Sequence, residues 1–133
     1  EHSILLAEDS LLLTKMIKDS LIRAGYANIK NFNNGKEAWE YLLSVKDEPD
    51  FDDRAALLIT DIEMPEMDGH RLTKLVKDDP IMKRIPIIIF SSLINAEMRI
   101  KGKQLGADEQ LSKPEIGRLV QVMDKLLEER GMM

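Results

Sequence analysis

Asp61 stands at the end of the apolar run Leu57-Leu58-Ile59-Thr60 and is followed at once by Ile62-Glu63-Met64-Pro65-Glu66-Met67-Asp68-Gly69. A buried strand that carries a carboxylate to its C-terminal tip and then turns sharply is how an open α/β sheet presents a reactive group. Glu8-Asp9 follow a second apolar run, Ile4-Leu5-Leu6-Ala7, and Lys113-Pro114 follow Gln110-Leu111-Ser112. Strand ends of this kind converge on one edge of a sheet, so the expectation is a pair of acids, a third acid and a lysine in one place. Hard carboxylate oxygens suit a divalent cation such as Mg²⁺, which keeps several waters and needs only one or two carboxylates. A neighbouring Lys⁺ and a bound cation would hold Asp61 ionised and offset the charge of an incoming phosphoryl group. The product on Asp61 would be an aspartyl phosphate, a mixed anhydride that hydrolyses by itself. A lone strand-end Asp as often caps the next turn, and a lone Lys-Pro is usually surface loop. It is their combination that carries the chemistry.

The same pieces resemble the receiver domains of two-component signalling. They are Glu8-Asp9, the D-x-x-M-P-x-M-D-G stretch from Asp61 to Gly69, Ser91 after Ile87-Ile88-Ile89-Phe90, Gly106-Ala107-Asp108 and Lys113-Pro114, which cover nearly the whole chain in the family's order. The wording Thr60-Asp61-Ile62-Glu63-Met64-Pro65 and Leu111-Ser112-Lys113-Pro114-Glu115-Ile116-Gly117 is similar to the receiver of CheV-type chemotaxis coupling proteins. The resemblance implies a phosphoacceptor at Asp61 and direct Mg²⁺ ligands at Asp9 and Asp61. Glu8 would hold a metal-bound water, and the backbone carbonyl of Glu63 would add a ligand. Ser91 would be the switch hydroxyl and Lys113 the cation that pairs with phosphate, with a cis bond to Pro114; proline after it also biases Lys113 toward extended geometry. Ser92 next door competes with Ser91 in register; Ser91 is chosen for its distance from Pro86. The side chain of Glu63 would face the acid cluster, where it either orients a water or repels it. Three residues before Lys113, where many receivers carry Tyr or Phe, this chain has Gln110. Output by movement of an aromatic ring is thereby put in doubt.

To position these residues, apolar runs must alternate with amphipathic stretches, the pattern of a parallel sheet wound from βαβ units. The pattern predicts strands near Ile4–Ala7, Asn28–Phe32, Ala56–Asp61, Pro86–Ser91 and Glu109–Leu111. The first helix starts at a Ser10 N-cap, buries Leu13, Ile17, Leu21 and Ala24, and ends at Gly25. The second is expected from Lys36 to Val45, and the third from Gly69 to Asp79, where Pro80 stops it. The fourth, around Asn95 to Leu105, is the weakest on pattern: Met98 and Leu105 can face inward, Ile100 points elsewhere, and Gly102 costs about 1 kcal/mol of helix propensity. The last follows Pro114 with Ile116, Leu119, Val120, Met123, Leu126 and Leu127 on one face. Five strands and five helices fit a flavodoxin-like, doubly wound α/β sheet of order 2-1-3-4-5. Lys46 to Arg54, with acids at 47, 48, 50, 52 and 53, reads as a solvated loop. Met16, Met98 and Met123 read as core filler and Met132-Met133 as a frayed end. His2 and His70 lack a metal-type partner at helical or hairpin spacing.

The bulk numbers agree with one soluble domain. At 133 residues the chain can bury roughly two thirds of the surface its unfolded form exposes. Hydrophobic content of 44% and charged content of 32% are those of an ordinary globule. A net charge of −5 gives no general attraction for nucleic acid. The absence of cysteine removes disulfides and thiol chemistry and is compatible with a reducing cytosol. No apolar run approaches a membrane span and no signal peptide opens the chain, so a cytoplasmic place is expected.

These readings point to a Mg²⁺-dependent phosphoacceptor domain, 1–133, partnered by a histidine kinase of the chemotaxis type and binding neither nucleic acid nor membrane. It is expected to be a piece of a larger protein whose N-terminal adaptor domain couples to a chemoreceptor array. A stand-alone single-domain regulator is the first alternative. A phosphohydrolase of the haloacid-dehalogenase type is the second, since Asp61-x-Glu63 superficially fits. Those enzymes usually have Asp at the second position and need a cap domain that 133 residues barely allow. A flavin-binding flavodoxin is disfavoured because Glu8-Asp9-Ser10 puts negative charge where a phosphate would sit.

Overall fold

The apolar runs are too continuous for strands with one wet face, and they form the interior of a parallel sheet covered on both sides. A computed structural model describes residues 2–92 and 94–133. The strands are β1 (Ile4–Ala7), β2 (Ile29–Phe32), β3 (Leu57–Thr60), β4 (Ile87–Ser91) and β5 (Glu109–Ser112), in the order β2-β1-β3-β4-β5. β1, β3 and β4 are buried along their whole length. The helices are α1 (Leu11–Arg23), α2 (Gly35–Val45), α3 (Phe51–Arg54), α4 (Gly69–Asp78), α5 (Ala96–Leu105) and α6 (Leu119–Glu129). This is the flavodoxin-like arrangement expected from the sequence.

The alternation of side chains along each strand builds two cores. Ile4, Leu6, Leu57, Ile59, Ile88 and Phe90 face α1 and α6, packing on Ile17, Leu21, Met123 and Leu127. Leu5, Ala7, Leu58 and Ile87 face the other way, onto Leu42, Leu72, Val76 and Met82. Each fully buried Leu or Ile contributes about 1.5–3 kcal/mol relative to exposure, so the sheet's three central strands are the least yielding part of the molecule. α5 is the opposite case. Gly102 is its only buried residue, Met98 and Leu105 are half-buried, and Ile100 is exposed.

Several details depart from the sequence reading. The described residues form six α-helices rather than five, because the stretch read as a solvated loop contains α3. Phe51 is buried in the second core and anchors that turn. Its acids find partners far away in sequence: Asp52 meets Arg84 and Arg130 at 2.9 Å each, and Asp53 meets the His2 ring at 2.8 Å. Ala24 is exposed rather than buried, since α1 stops at Arg23 and Gly25 turns the chain away with φ of 98°. The last helix does not follow Pro114 directly. Lys113–Arg118 form a 3₁₀ segment first, with Pro114 in its opening turn, where a missing N–H costs nothing. The Lys113–Pro114 bond is trans, not cis, and Lys113 is not extended. Met132 packs against the first core instead of fraying.

The turn after β3 holds one unusual backbone angle. Glu66 has φ of 67°, and Met67 N–H donates to the Pro65 carbonyl across it at 2.7 Å. A three-residue turn with positive φ at its centre is strained for any residue carrying a Cβ. Glu66→Gly is therefore expected to be more stable than Glu66→Val by about 2 kcal/mol in urea unfolding. Equal stability of the two variants would mean that the turn relaxes without cost.

Candidate functional site

Parallel pairing puts the C-terminal ends of the strands on one edge. Ala7 is level with Thr60 in the β1–β3 register, so Glu8-Asp9 and Asp61 leave the sheet side by side. One carboxylate oxygen from each of Glu8, Asp9 and Asp61 lies within 4.8 Å of the others. The three differ in exposure: Glu8 is 2% exposed, Asp61 is half-buried and Asp9 is exposed. Ser10 is the α1 N-cap, its hydroxyl accepting from Leu13 N–H at 3.2 Å, which leaves Asp9 free of that duty.

Each acid is held by its own neighbours. Glu8 Oε2 accepts from the Ser10 N–H at 3.0 Å, while Oε1 is buried and has no hydrogen-bond partner among the described residues. Burial raises the Glu8 pKa to about 7, with the charges of Asp61 and Asp9 adding to the effect. Burial also raises the Asp61 pKa, and Asp9 and Glu63 push the same way. Two neighbours of Asp61 oppose that rise: Ile62 N–H donates to Oδ1 at 2.7 Å, and the Ser91 hydroxyl acts in the same direction. Ser91 is buried while Ser92 is exposed. Glu63 sits in the exposed loop beyond buried Ile62.

Lys113 is placed differently from the other predicted site residues. It opens the 3₁₀ segment after β5 and is half-buried. The lysines that form ion pairs among the described residues are Lys15, Lys46, Lys74 and Lys77, so Lys113 is not paired with Asp61. The structure thus gathers Glu8, Asp9, Asp61 and Ser91, with Glu63 near enough to act by its charge.

Other residues shape this edge without having been read as doing so. The Thr60 hydroxyl donates to the Asp61 carbonyl at 2.9 Å. Gly69 N–H donates to the Ile62 carbonyl at 2.7 Å, and a Cβ on Gly69 would lie 1.8 Å from the Asp61 carbonyl oxygen. The sequence signal for that contact was the Asp68-Gly69 pair opening a helix. Its partner strand end could not be known before folding.

Three crowded carboxylates, two of them with raised pKa values, and a buried oxygen without a hydrogen bond are what a divalent cation would satisfy. The donor set fits such an ion: it is all oxygen, anionic, and open to solvent on the Asp9 side.

Comparison with known proteins follows the same lines. Residues 4–124 match the family described as the response regulator receiver domain. The chain is 34% identical over 126 residues to chemotaxis protein CheV1 of Helicobacter pylori, covering 94% of this chain and 38% of that protein. It is also 34% identical over 111 residues to chemotaxis protein CheY1 of the same species, covering 84% of each. Among solved structures, the signal receiver domain of a signal transduction histidine kinase from Syntrophus aciditrophicus superposes with a TM-score of 0.82 at 31% identity, over 97% of this chain and 92% of that one. The match runs from the first strand into the last helix, and the chain belongs to the response regulator receiver domains, the signalling domains of two-component systems.

Proposed function

We propose that this receiver takes a phosphoryl group from a histidine kinase onto Asp61, with Mg²⁺ held by Glu8, Asp9, Asp61 and the backbone carbonyl of Glu63. The observation that carries the reading is the gathering of three carboxylates within 4.8 Å at the C-terminal ends of β1 and β3. In the transfer, an Asp61 carboxylate oxygen forms a bond to phosphorus as the bond from phosphorus to the donor nitrogen breaks. The Ile62 N–H holds one oxygen of the carboxylate and so fixes its plane. The Ser91 hydroxyl, which helps hold the Asp61 pKa down, would donate to a phosphoryl oxygen. Lys113, without an ion pair among the described residues, would bring its ammonium to the same anion. When bound, Mg²⁺ supplies positive charge against the phosphoryl oxygens. Self-dephosphorylation would be the domain's only hydrolytic activity.

The likeness to CheV1 and CheY1 supports a chemotaxis-type setting. There the domain would signal to a kinase of the chemotaxis type or drain phosphate from it, in the cytoplasm. Because the chain spans 38% of CheV1, an N-terminal adaptor that couples to a receptor array belongs to this proposal. The 84% coverage of CheY1 favours a second reading, a stand-alone regulator. Among the described residues no helix is long and apolar enough to cross a membrane.

Incubation with acetyl phosphate and Mg²⁺ is expected to add one alkali-labile phosphoryl group per chain, seen by intact mass. Asp61→Asn should lose it. A label that persists in Asp61→Asn and disappears in a Ser91 or Asp9 variant would move the acceptor elsewhere.

A further inference from the structure

Helix α5 is fastened to the sheet by polar bonds instead of apolar packing. The Gln110 side chain lies against the helix at Gly102, where a Cβ would come within 2.4 Å of Gln110 Oε1. Gln110 Nε2 donates to the Arg99 carbonyl at 2.8 Å, and Arg99 Nη1 donates back to the Gln110 carbonyl at 3.2 Å. The same guanidinium reaches across to Glu115, with Nη2 3.6 Å from Oε1. Glu115 Oε1 accepts from both the N–H and the hydroxyl of Ser112 at 2.9 Å, and Oε2 accepts from Arg118 at 2.8 Å. Those bonds close a loop from Ser112 to Glu115, and Lys113-Pro114 are the two residues inside it.

The consequence is mechanical. Lys113 makes no ion pair among the described residues, so where its ammonium can reach is set by the backbone it stands on. That backbone is clamped on both sides by one carboxylate, Glu115, and the carboxylate is tied to α5 by Arg99. A helix with no apolar side chain in the core opens or shifts at low cost, and Arg99 must travel with it. Two sites linked through one such element influence each other reciprocally.

We propose that Arg99 and Glu115 are positioning residues for Lys113, coupling the place of helix α5 to phosphoryl chemistry at Asp61. The inference rests on the role given above to Lys113, and it adds that this lysine is under the control of a helix.

The test is the rate of phosphoryl incorporation from acetyl phosphate in a double-mutant set. Arg99→Ala and Glu115→Ala are each expected to slow the reaction about tenfold. Glu115→Gln, whose amide oxygen still accepts from Ser112, should recover most of the loss. In a Lys113→Ala background the same substitutions should change the rate no further, because nothing is left to position. Independent, multiplicative losses in that background would show a merely structural role and overturn the proposal. Full rates in both folded single variants would overturn it as well. If Lys113→Ala is slow while the other two are not, the positioning role alone fails. If Lys113→Ala keeps the full rate, the role of Lys113 fails too. Arg99 is exposed, so Arg99→Ala carries the test should Glu115→Ala not fold.

Discussion

Gly69→Ala is expected to cost this domain at least about 3 kcal/mol, a large share of the roughly 5–15 kcal/mol that holds a domain together. Helix propensity alone would favour the change by about 1 kcal/mol, since Gly69 opens α4. The clash decides the sign. A Cβ at this position would stand 1.8 Å from the Asp61 carbonyl oxygen and 2.8 Å from its carbon, both backbone atoms of a buried strand end. Neither can move without disturbing the pairing of Asp61 N–H with the Ala7 carbonyl at 3.0 Å. The displaced group belongs to the proposed phosphoacceptor, so residual folded protein should also take up phosphoryl groups more slowly. Gly117→Ala is the control. Nothing lies within 4 Å of a Cβ there and φ is not positive, so the change should be neutral or slightly stabilising. Urea unfolding of both variants measures the difference. Similar stabilities would mean that α4 can back away from the strand end without loss.

The second large effect concerns metal and pH. Mg²⁺ at a hundred times its Kd should stabilise the folded state by about 2.7 kcal/mol. For a chain of this size that is a rise in Tm of about 10 °C. The metal-free protein should depend on pH in a definite direction. The Glu8 pKa is raised from 4.5 to about 7 in the fold, so the folded state holds that proton more tightly than the unfolded chain does. The stability Glu8 contributes is complete below pH 4.5 and is lost as pH climbs through 7. Asp61 is raised as well and adds in the same sense. His70 is lowered by burial and by Lys101 and works the other way, losing stability as pH falls through its range. Comparing wild type with Glu8→Gln between pH 5 and 8 removes the common His70 contribution. The variant should lose the decline attributed to Glu8. Since a ligating group must be deprotonated, the Mg²⁺-induced rise in Tm should be smaller at pH 6 than at pH 8. A Tm insensitive to Mg²⁺ at both pH values would reduce the three carboxylates to a surface cluster.

The residues proposed to do chemistry were readable before any fold was known, because each follows an apolar run. Buried strands must surface at their ends, and a parallel sheet delivers those ends to one edge, so Glu8, Asp9 and Asp61 could be placed together from spacing alone. Ser91 was readable for the same reason. Its preference over Ser92 came from the family's distance to Pro86, and in the fold it is buried and acts on the titration of Asp61. The N-cap at Ser10 and the turn at Gly25 were equally local, since each depends on only a few neighbouring residues.

Long-range partners were not readable. The acids of the 46–54 stretch look like a solvated loop until Phe51 enters a core and Asp52 meets Arg84 and Arg130 from other elements. Ala24 fits the apolar spacing of α1, yet the helix has already ended where it stands. At Lys113, proline suggested an extended backbone, but the Ser112–Glu115 bonds wind the segment into a 3₁₀ turn with a trans bond. Gln110 is the clearest case. In sequence it is only the absence of an aromatic ring; in the fold it is the polar arm that holds α5 at Arg99. Sequence alone therefore determined what repeats at short range: the strand ends, the caps, the order of elements and the acids they expose. The tertiary structure decided which distant charges and amides meet, because those contacts depend on loop paths and side-chain reach that no local pattern encodes.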